Sequence, residues 1–332
     1  IIARADKPLD EKRKEKIAIF CNVRTEDVIS APDVETIYDV PTNFERDHLS
    51  DLVLAKLGLK AKKENDGTWA KQVKKLKSAK KEVQIAIVGK YFKTGDYVLT
   101  DAYISVIEAL KHAASAEGVT LKLDWLDSTD FESNTKALQR LKNYAGVLIP
   151  GGFGSRGIEG KIKVIEYLRK NKIPYFGLCY GMQLMVIEYA RNVVGLKGAH
   201  TAEVDAKAPH VVVDIMPEQK EKLAKKDYGA TMRLGQYEAR IKPGTQAEAA
   251  YKTKEVFERH RHRYEINPDY IERIMSKGLV FSGTSPDGRL MEIAELPKSV
   301  HPFFLATQFH PEFQSSLLHP HPLFQAFVRA CK

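Results

Sequence analysis

The chain has 332 residues, of which 43% are hydrophobic, and a formal net charge of +9; this is enough apolar material for one large core or two moderate ones and excludes an intrinsically disordered chain. Its three cysteines, Cys21, Cys179 and Cys331, are odd in number and far apart, which argues against a disulfide framework and against a zinc cluster. Nine lysines fall between Lys60 and Lys81, so the positive charge belongs to one solvated segment and not to a nucleic-acid face.

No run of about 18 apolar residues occurs, so no membrane span is expected. A soluble, cytoplasmic protein with reduced thiols follows. The opening Ile1-Ile2-Ala3-Arg4 carries no initiator methionine and no signal-peptide pattern, and it looks like the rear part of a longer polypeptide. Lys16 to Cys21 (KIAIFC) reads as a short buried strand, and Asp33 to Pro41 as a second extended segment stopped by proline. Residues 1–50 are too few to fold alone. Asp51 to Leu59 has helical spacing, and 60–82 reads as a lysine-rich linker with a short exposed helix around Trp69 to Leu76.

From Val83 the pattern alternates between strand and helix. VQIAIVG (83–89) is a buried strand, and Asp101 can cap a helix whose apolar residues Tyr103, Val106, Ile107, Leu110 and Ala114 recur at spacings of three and four. Strands at 119–126, 145–150 and 173–178 are separated by helices at roughly 133–143 and 159–171. A further helix runs from Gly181 to Arg191. After Ala199 the character turns to β, with HVVVDI, MRLGQYEARI, LVFSG, RLMEIAEL and FFLATQF, and a helix closes the chain near Pro322 to Arg329. The predicted fold class is α/β, with a mostly parallel central sheet covered by helices on both faces and added antiparallel strands in the C-terminal half.

Two glycine-rich turns stand one βα step apart. In Gly177-Leu178-Cys179-Tyr180-Gly181, a cysteine between two glycines at a strand-to-helix turn is held in a tight backbone conformation, with its sulfur exposed at a helix N-terminus that favours thiolate. A buried packing cysteine is the bland alternative. Its candidate base is His310 in Thr307-Gln308-Phe309-His310-Pro311-Glu312, because Glu312 can hold the imidazole in one tautomer. His260 and His262 in ERHRHRYE are competitors, with a surface strand as the plainer reading of that segment. The other turn, Pro150-Gly151-Gly152-Phe153-Gly154, lies beside the first in a right-handed βαβ unit, so amides at Gly152 and Tyr180 can receive an oxyanion. A phosphate cradle is the rival for this turn, but it lacks the Gly-Lys-Ser/Thr ending.

PGGFGSRG, GLCYGMQ, ERHRHRYEIN and QFHPEF together resemble the class I (triad) glutamine amidotransferases, and more narrowly the glutaminase domain of the CTP synthase family. ERHRHRYE and Thr231-Met232-Arg233-Leu234-Gly235 carry the narrower likeness, and KIAIFCNV with DVETIYDVP is similar to the end of the amidoligase domain that precedes the glutaminase. The resemblance implies a flavodoxin-like glutaminase domain over 83–332, a helix and interdomain linker over 51–82, and an amidoligase remnant over 1–50. It implies Cys179, His310 and Glu312 as the catalytic triad. Gly152, Tyr180, Gly181, Met182, Gln183, Glu203 and Arg263 would bind glutamine, and Lys16, Asp33 and Val34 would form part of a nucleotide site. No metal and no cofactor is expected in this chain. The complete enzyme is expected to use ATP and Mg2+, with glutamine, UTP, CTP and the effector GTP as ligands, as a homotetramer. The family commonly has Leu where Tyr180 stands and Asn-Ser-Thr-Glu where this chain has His200-Thr201-Ala202-Glu203.

Overall fold

The computed structural model describes residues 1–62, 67–90, 93–94, 97–98, 103–215 and 232–332. Asp101, expected to cap a helix, Lys63 and Thr231 lie outside them. Two compact units divide at Ser78 and Ala79.

In the first unit, β1 (Ile2–Ala5) pairs in parallel with β2 (Ile29–Pro32), and α1 (Glu11–Cys21) lies between them in sequence. The expected strand at 16–21 is therefore helix. Asp10 caps it by accepting from Arg13 N at 2.9 Å, and the charged run Glu11 to Lys16 has high helix propensity. The second expected strand also fails: residues 33–38 form turns, and α2 spans Asp39–Arg46. Pro41 falls in its first turn, where a missing N–H costs no helix bond. After α3 (Leu49–Lys56) comes α4 (Thr68–Ser78). This helix is more than a solvated spacer, since Val73 is buried and Trp69 Nε1 donates to Tyr38 O at 2.9 Å.

The second unit opens with β3 (Lys81–Gly89) and the two-residue strands β4 (Lys93–Thr94) and β5 (Tyr97–Val98). There follow α5 (Ile104–Glu117), β6 (Val119–Asp127), α6 (Asp130–Ser133), β7 (Gly146–Ile149), α7 (Ile158–Asn171), β8 (Tyr175–Leu178) and α8 (Tyr180–Tyr189). Residues 135–143 form a 3-10 helix, and α8 runs on into a π-helical turn at Ala190–Val194. The β-rich half contains β9 (Ala199–Thr201), β10 (His210–Ile215), β11 (Arg233–Ile241), α9 (Gln246–Tyr251), β12 (Glu255–His262), β13 (Tyr264–Ile266), α10 (Pro268–Met275), β14 (Val280–Thr284), β15 (Met291–Glu295), β16 (Phe304–Thr307) and α11 (Pro322–Cys331).

The main sheet has nine strands in the order β12-β11-β14-β15-β16-β8-β7-β3-β6. The run from β16 to β6 is parallel and the rest is antiparallel, as the alternating pattern predicts. Period-two alternation splits the core between the faces. Ala86, Val88, Val147 and Ile149 join residues of α7 and α8, while Ile85, Ile87, Leu148 and Phe176 join Leu110 of α5 and Phe324 and Phe327 of α11. Phe176 meets Phe324 edge-on at 5.1 Å, an arrangement that adds about 1 kcal/mol to area burial. Among the described residues, no helix is long and apolar enough to cross a membrane.

Candidate active site

Cys179 stands between β8 and α8 in a left-handed conformation, φ 50° and ψ −98°, a strain characteristic of functional turns. Its glycine neighbours are required by close approach. A Cβ at Gly177 would lie 2.3 Å from Tyr175 Oη and 2.9 Å from Ala306 Cβ, and one at Gly181 would lie 2.5 Å from Ile149 O. Cys179 N donates to Thr307 O at 2.6 Å, which ties the turn to the next parallel strand, and Cys179 O accepts from Met182 N and Gln183 N. The thiol therefore sits at the N-terminus of α8, on the positive end of its dipole.

His310 follows β16 and is held from three sides. Its backbone N donates to Arg259 O at 2.8 Å, its ring stacks on Phe313 at 5.4 Å, and its Nδ1 lies 2.7 Å from the buried Glu312 carboxylate. A carboxylate only accepts, so Nδ1 carries a proton, and Cys179 is close enough to act electrostatically on the ring. Burial opposes charge on His310, but Cys179 and Glu312 outweigh it and lift its pKa to about 11. The imidazole is cationic at neutral pH.

The first glycine turn reaches this pair. A Cβ at Gly151 would stand 2.9 Å from His310 Cε1 and 3.7 Å from Cys179 Cβ. Gly152 backs onto Tyr180, whose ring is buried and whose hydroxyl donates to Gly154 O at 3.0 Å. Glu203 accepts from Gly154 N at 2.7 Å on the same turn. Met182 and Gly181 are buried in α8, and Arg263 is half-buried between β12 and β13. Lys16 and Asp33–Val34 belong to the other unit; Lys16 is exposed on α1 and Asp33 pairs with Arg4 at 2.5 Å.

The competing histidines are placed differently from the expected surface strand. Glu258, His260 and His262 point inward from β12 while Phe257, Arg259 and Arg261 point out. His260 Nδ1 lies 2.9 Å from His262 Nε2, and burial lowers their pKa values to about 2 and about 3, with neighbouring cationic groups adding to it. Both are neutral, and it is His310 that stands at the Gly151 turn beside Cys179.

Several residues escaped the sequence reading. Gln308 is fully buried with Nε2 3.7 Å from Cys179 Sγ. Arg233 faces two buried carboxyls, Glu292 at 2.8 Å and Glu265 at 3.7 Å. Burial pushes Glu292 up to about 7 against the pull of Arg233, and burial with the Glu292 charge pushes Glu265 well up. Lys161, in the first turn of α7, is buried over the Tyr180 ring at 5.6 Å, and burial lowers its pKa to about 7. The available signal was polar residues at inward positions of otherwise apolar strands, as with Gln308 in FFLATQF.

A thiol at a helix N-terminus, beside an imidazole that a carboxylate orients, can carry out acyl transfer through a thioester. A family model for glutamine amidotransferase class-I matches residues 98–330, and one for the CTP synthase N-terminus matches residues 1–59. The chain is 48% identical over 330 residues to a CTP synthase of Halalkalibacterium halodurans, covering 99% of this chain and 60% of that protein. It is 50% identical over 331 residues to one of Rubrobacter xylanophilus, covering 100% and 58%. It spans about three fifths of the length of these curated relatives. Among solved structures, the glutaminase domain of Trypanosoma brucei CTPS with bound acivicin aligns with a TM-score of 0.69 and 38% identity, over 75% of this chain and 93% of that one. The chain belongs to the class-I glutamine amidotransferases, in the CTP synthase branch of that family.

Proposed function

We propose that this chain hydrolyses glutamine as the glutaminase part of a CTP synthase, supplying ammonia for the ATP-dependent amination of UTP. The observation that carries the reading is the convergence of Cys179 and the Glu312-bonded His310 on the Gly151–Gly152 turn. The Cys179 thiolate attacks the side-chain amide carbon, a C–S bond forms, and the resulting oxyanion accepts from the amides of Gly152 and Tyr180. His310 gives its proton to the departing nitrogen, the C–N bond breaks and ammonia leaves. The now neutral imidazole takes a proton from water, and the hydroxide formed attacks the thioester. Glutamate departs, and the thiolate and imidazolium are restored. Glu312 keeps the ring oriented throughout. Glu203 and Arg263 suit the ammonium and carboxylate of an amino acid, while Gly181, Met182 and Gln183 wall the pocket.

In the complete enzyme, ATP with Mg2+ activates UTP, CTP is the product and GTP the effector, in a cytoplasmic homotetramer. Lys16, Asp33 and Val34 would supply only an edge of a nucleotide site. The chain has no glycine before Gly58, so residues 1–57 cannot form a glycine-rich phosphate loop.

Treatment with a diazoketone analogue of glutamine, followed by peptide mass spectrometry, tests the proposal. The adduct is expected on Cys179. A folded protein left unmodified there would refute the catalytic reading, and preferential reaction with γ-glutamyl compounds other than glutamine would point to a different hydrolase.

A further inference from the structure

Gln308 follows β16 as a fully buried carboxamide beside the nucleophile. Its backbone N donates to Glu292 O at 2.8 Å, which fixes its register against the neighbouring strand β15. Three polar groups then run in a line away from the sulfur. Gln308 Nε2 lies 3.7 Å from Cys179 Sγ, Gln308 Oε1 lies 3.3 Å from Gln183 Nε2, and Gln183 Nε2 lies 3.1 Å from Tyr264 O. The far end sets the direction of the line. A backbone carbonyl only accepts, so the Gln183 atom facing Tyr264 O must be the amide nitrogen. That nitrogen also faces Gln308, so the Gln308 atom opposite it must be oxygen. This leaves the Gln308 nitrogen turned to the sulfur with a hydrogen to donate.

We infer that Gln308 is a positioning residue for the nucleophile: its carboxamide, oriented by Gln183 and the Tyr264 carbonyl, donates to Cys179 Sγ, fixes the sulfur opposite His310 and favours the thiolate. A donor at this point stabilises S⁻ more than S–H, because a charged acceptor makes the stronger bond. The sulfur is then held from two sides, by His310 and by an uncharged group that does not titrate. Gln183 thereby acquires a second task, as the link that keeps Gln308 from flipping. Among the described residues, the titratable groups coupled electrostatically to the sulfur include His310 and, from β13, Glu265; neither is altered in the variants below. The inference rests on the proposed role of Cys179 as the nucleophile.

The test reads the sulfur directly. Alkylation of Cys179 by iodoacetamide, followed by mass spectrometry across a pH series, should show the pH midpoint moving up by about one unit in Gln308→Met, which has no donor, so that reaction on the acid side slows about tenfold. Gln308→Glu should move it further, since a carboxylate turns lone pairs to the sulfur. In both, glutaminase kcat should fall more than KM changes. A folded Gln308→Met that alkylates with the wild-type pH profile overturns the inference. Because a buried substitution can cost the fold, the wild-type chain supplies a second readout. The side-chain 15N signal of Gln308 should inflect at the alkylation midpoint and lose that inflection in Cys179→Ala; a flat signal through the midpoint also overturns it. Absence of glutamine turnover with this coupling intact would count against the proposed function alone.

Discussion

A single guanidinium, that of Arg233, faces two buried carboxyls, Glu265 and Glu292, each of which lies beside a neutral imidazole, that of His262 and of His260 respectively. Burial raises the pKa of both carboxyls, and the Glu292 charge adds to the rise at Glu265. This arrangement carries a pH signature. Glu292 has a folded pKa raised to about 7 by burial against an ordinary 4.5, so its contribution to stability is fully present below about pH 4.5 and is lost as pH rises through about 7. Glu292→Gln does not titrate. The stability of the wild type relative to this variant should therefore fall by at most about 3 kcal/mol between pH 4.5 and 8, as measured by urea denaturation at each pH. His260 and His262 work in the opposite sense, since their pKa values are lowered and their contribution is lost as pH falls below 6.5. His260 lies 3.6 Å from Glu292, so the triple comparison with His260→Gln and with the double variant separates its share from that of Glu292. None of these inward groups was legible from the sequence as a cluster, because Arg233, His260, Glu265 and Glu292 come from four different strands.

At the scale of elements, α7 and α8 brace the turn that holds Cys179. Glu188 of α8 is fully buried and accepts from Arg169 of α7 at Nε (2.9 Å) and Nη2 (2.6 Å), with Asn192 Nδ2 adding a third bond at 3.2 Å. Removing the cation leaves a buried charge without compensation. Arg169→Met should cost about 3–5 kcal/mol, and Arg169→Met/Glu188→Leu should recover most of it; thermal or urea unfolding of the two variants reads the difference. The elements of this unit were legible in the sequence because their apolar runs are buried: Val83 to Gly89, Gly146 to Ile149 and Tyr175 to Leu178 became strands near the expected bounds. The proximity of Cys179, His310 and Glu312 was legible for a related reason, since a cysteine between glycines and a His-Pro-Glu sequence each carry local geometry. The failures lie where apolar residues are not buried. Ile19 and Phe20 are 78% and 80% exposed, so the apolar run that suggested a strand lies on the open surface of α1, and a run that short does not distinguish helix from strand. Pro41 misled in the same way, because the sequence does not show whether a proline ends a strand or sits in the first turn of a helix.

For the whole molecule, the two apolar clusters of the main sheet draw all of their members from Val83 onward, while the first unit packs its own small set, among them Val28, Ile29, Tyr38 and Val73. Residues 79–332 expressed alone should unfold cooperatively within about 2–4 °C of the corresponding transition in the full chain, the shift that 1 kcal/mol produces at this size. A larger drop in a calorimetric scan would show that residues 1–78 stabilise the second unit. The outer border of the nine-stranded sheet has a further consequence. Among the described residues β12 has no neighbouring strand on one side, yet its Phe257 carbonyl accepts from Gln314 Nε2 at 2.7 Å and its Arg259 carbonyl from His310 N at 2.8 Å. An open row of carbonyls would otherwise template another chain. The short segment that presents the imidazole thus also caps two carbonyls of this border, and a lesion there is expected to lower solubility as well as activity.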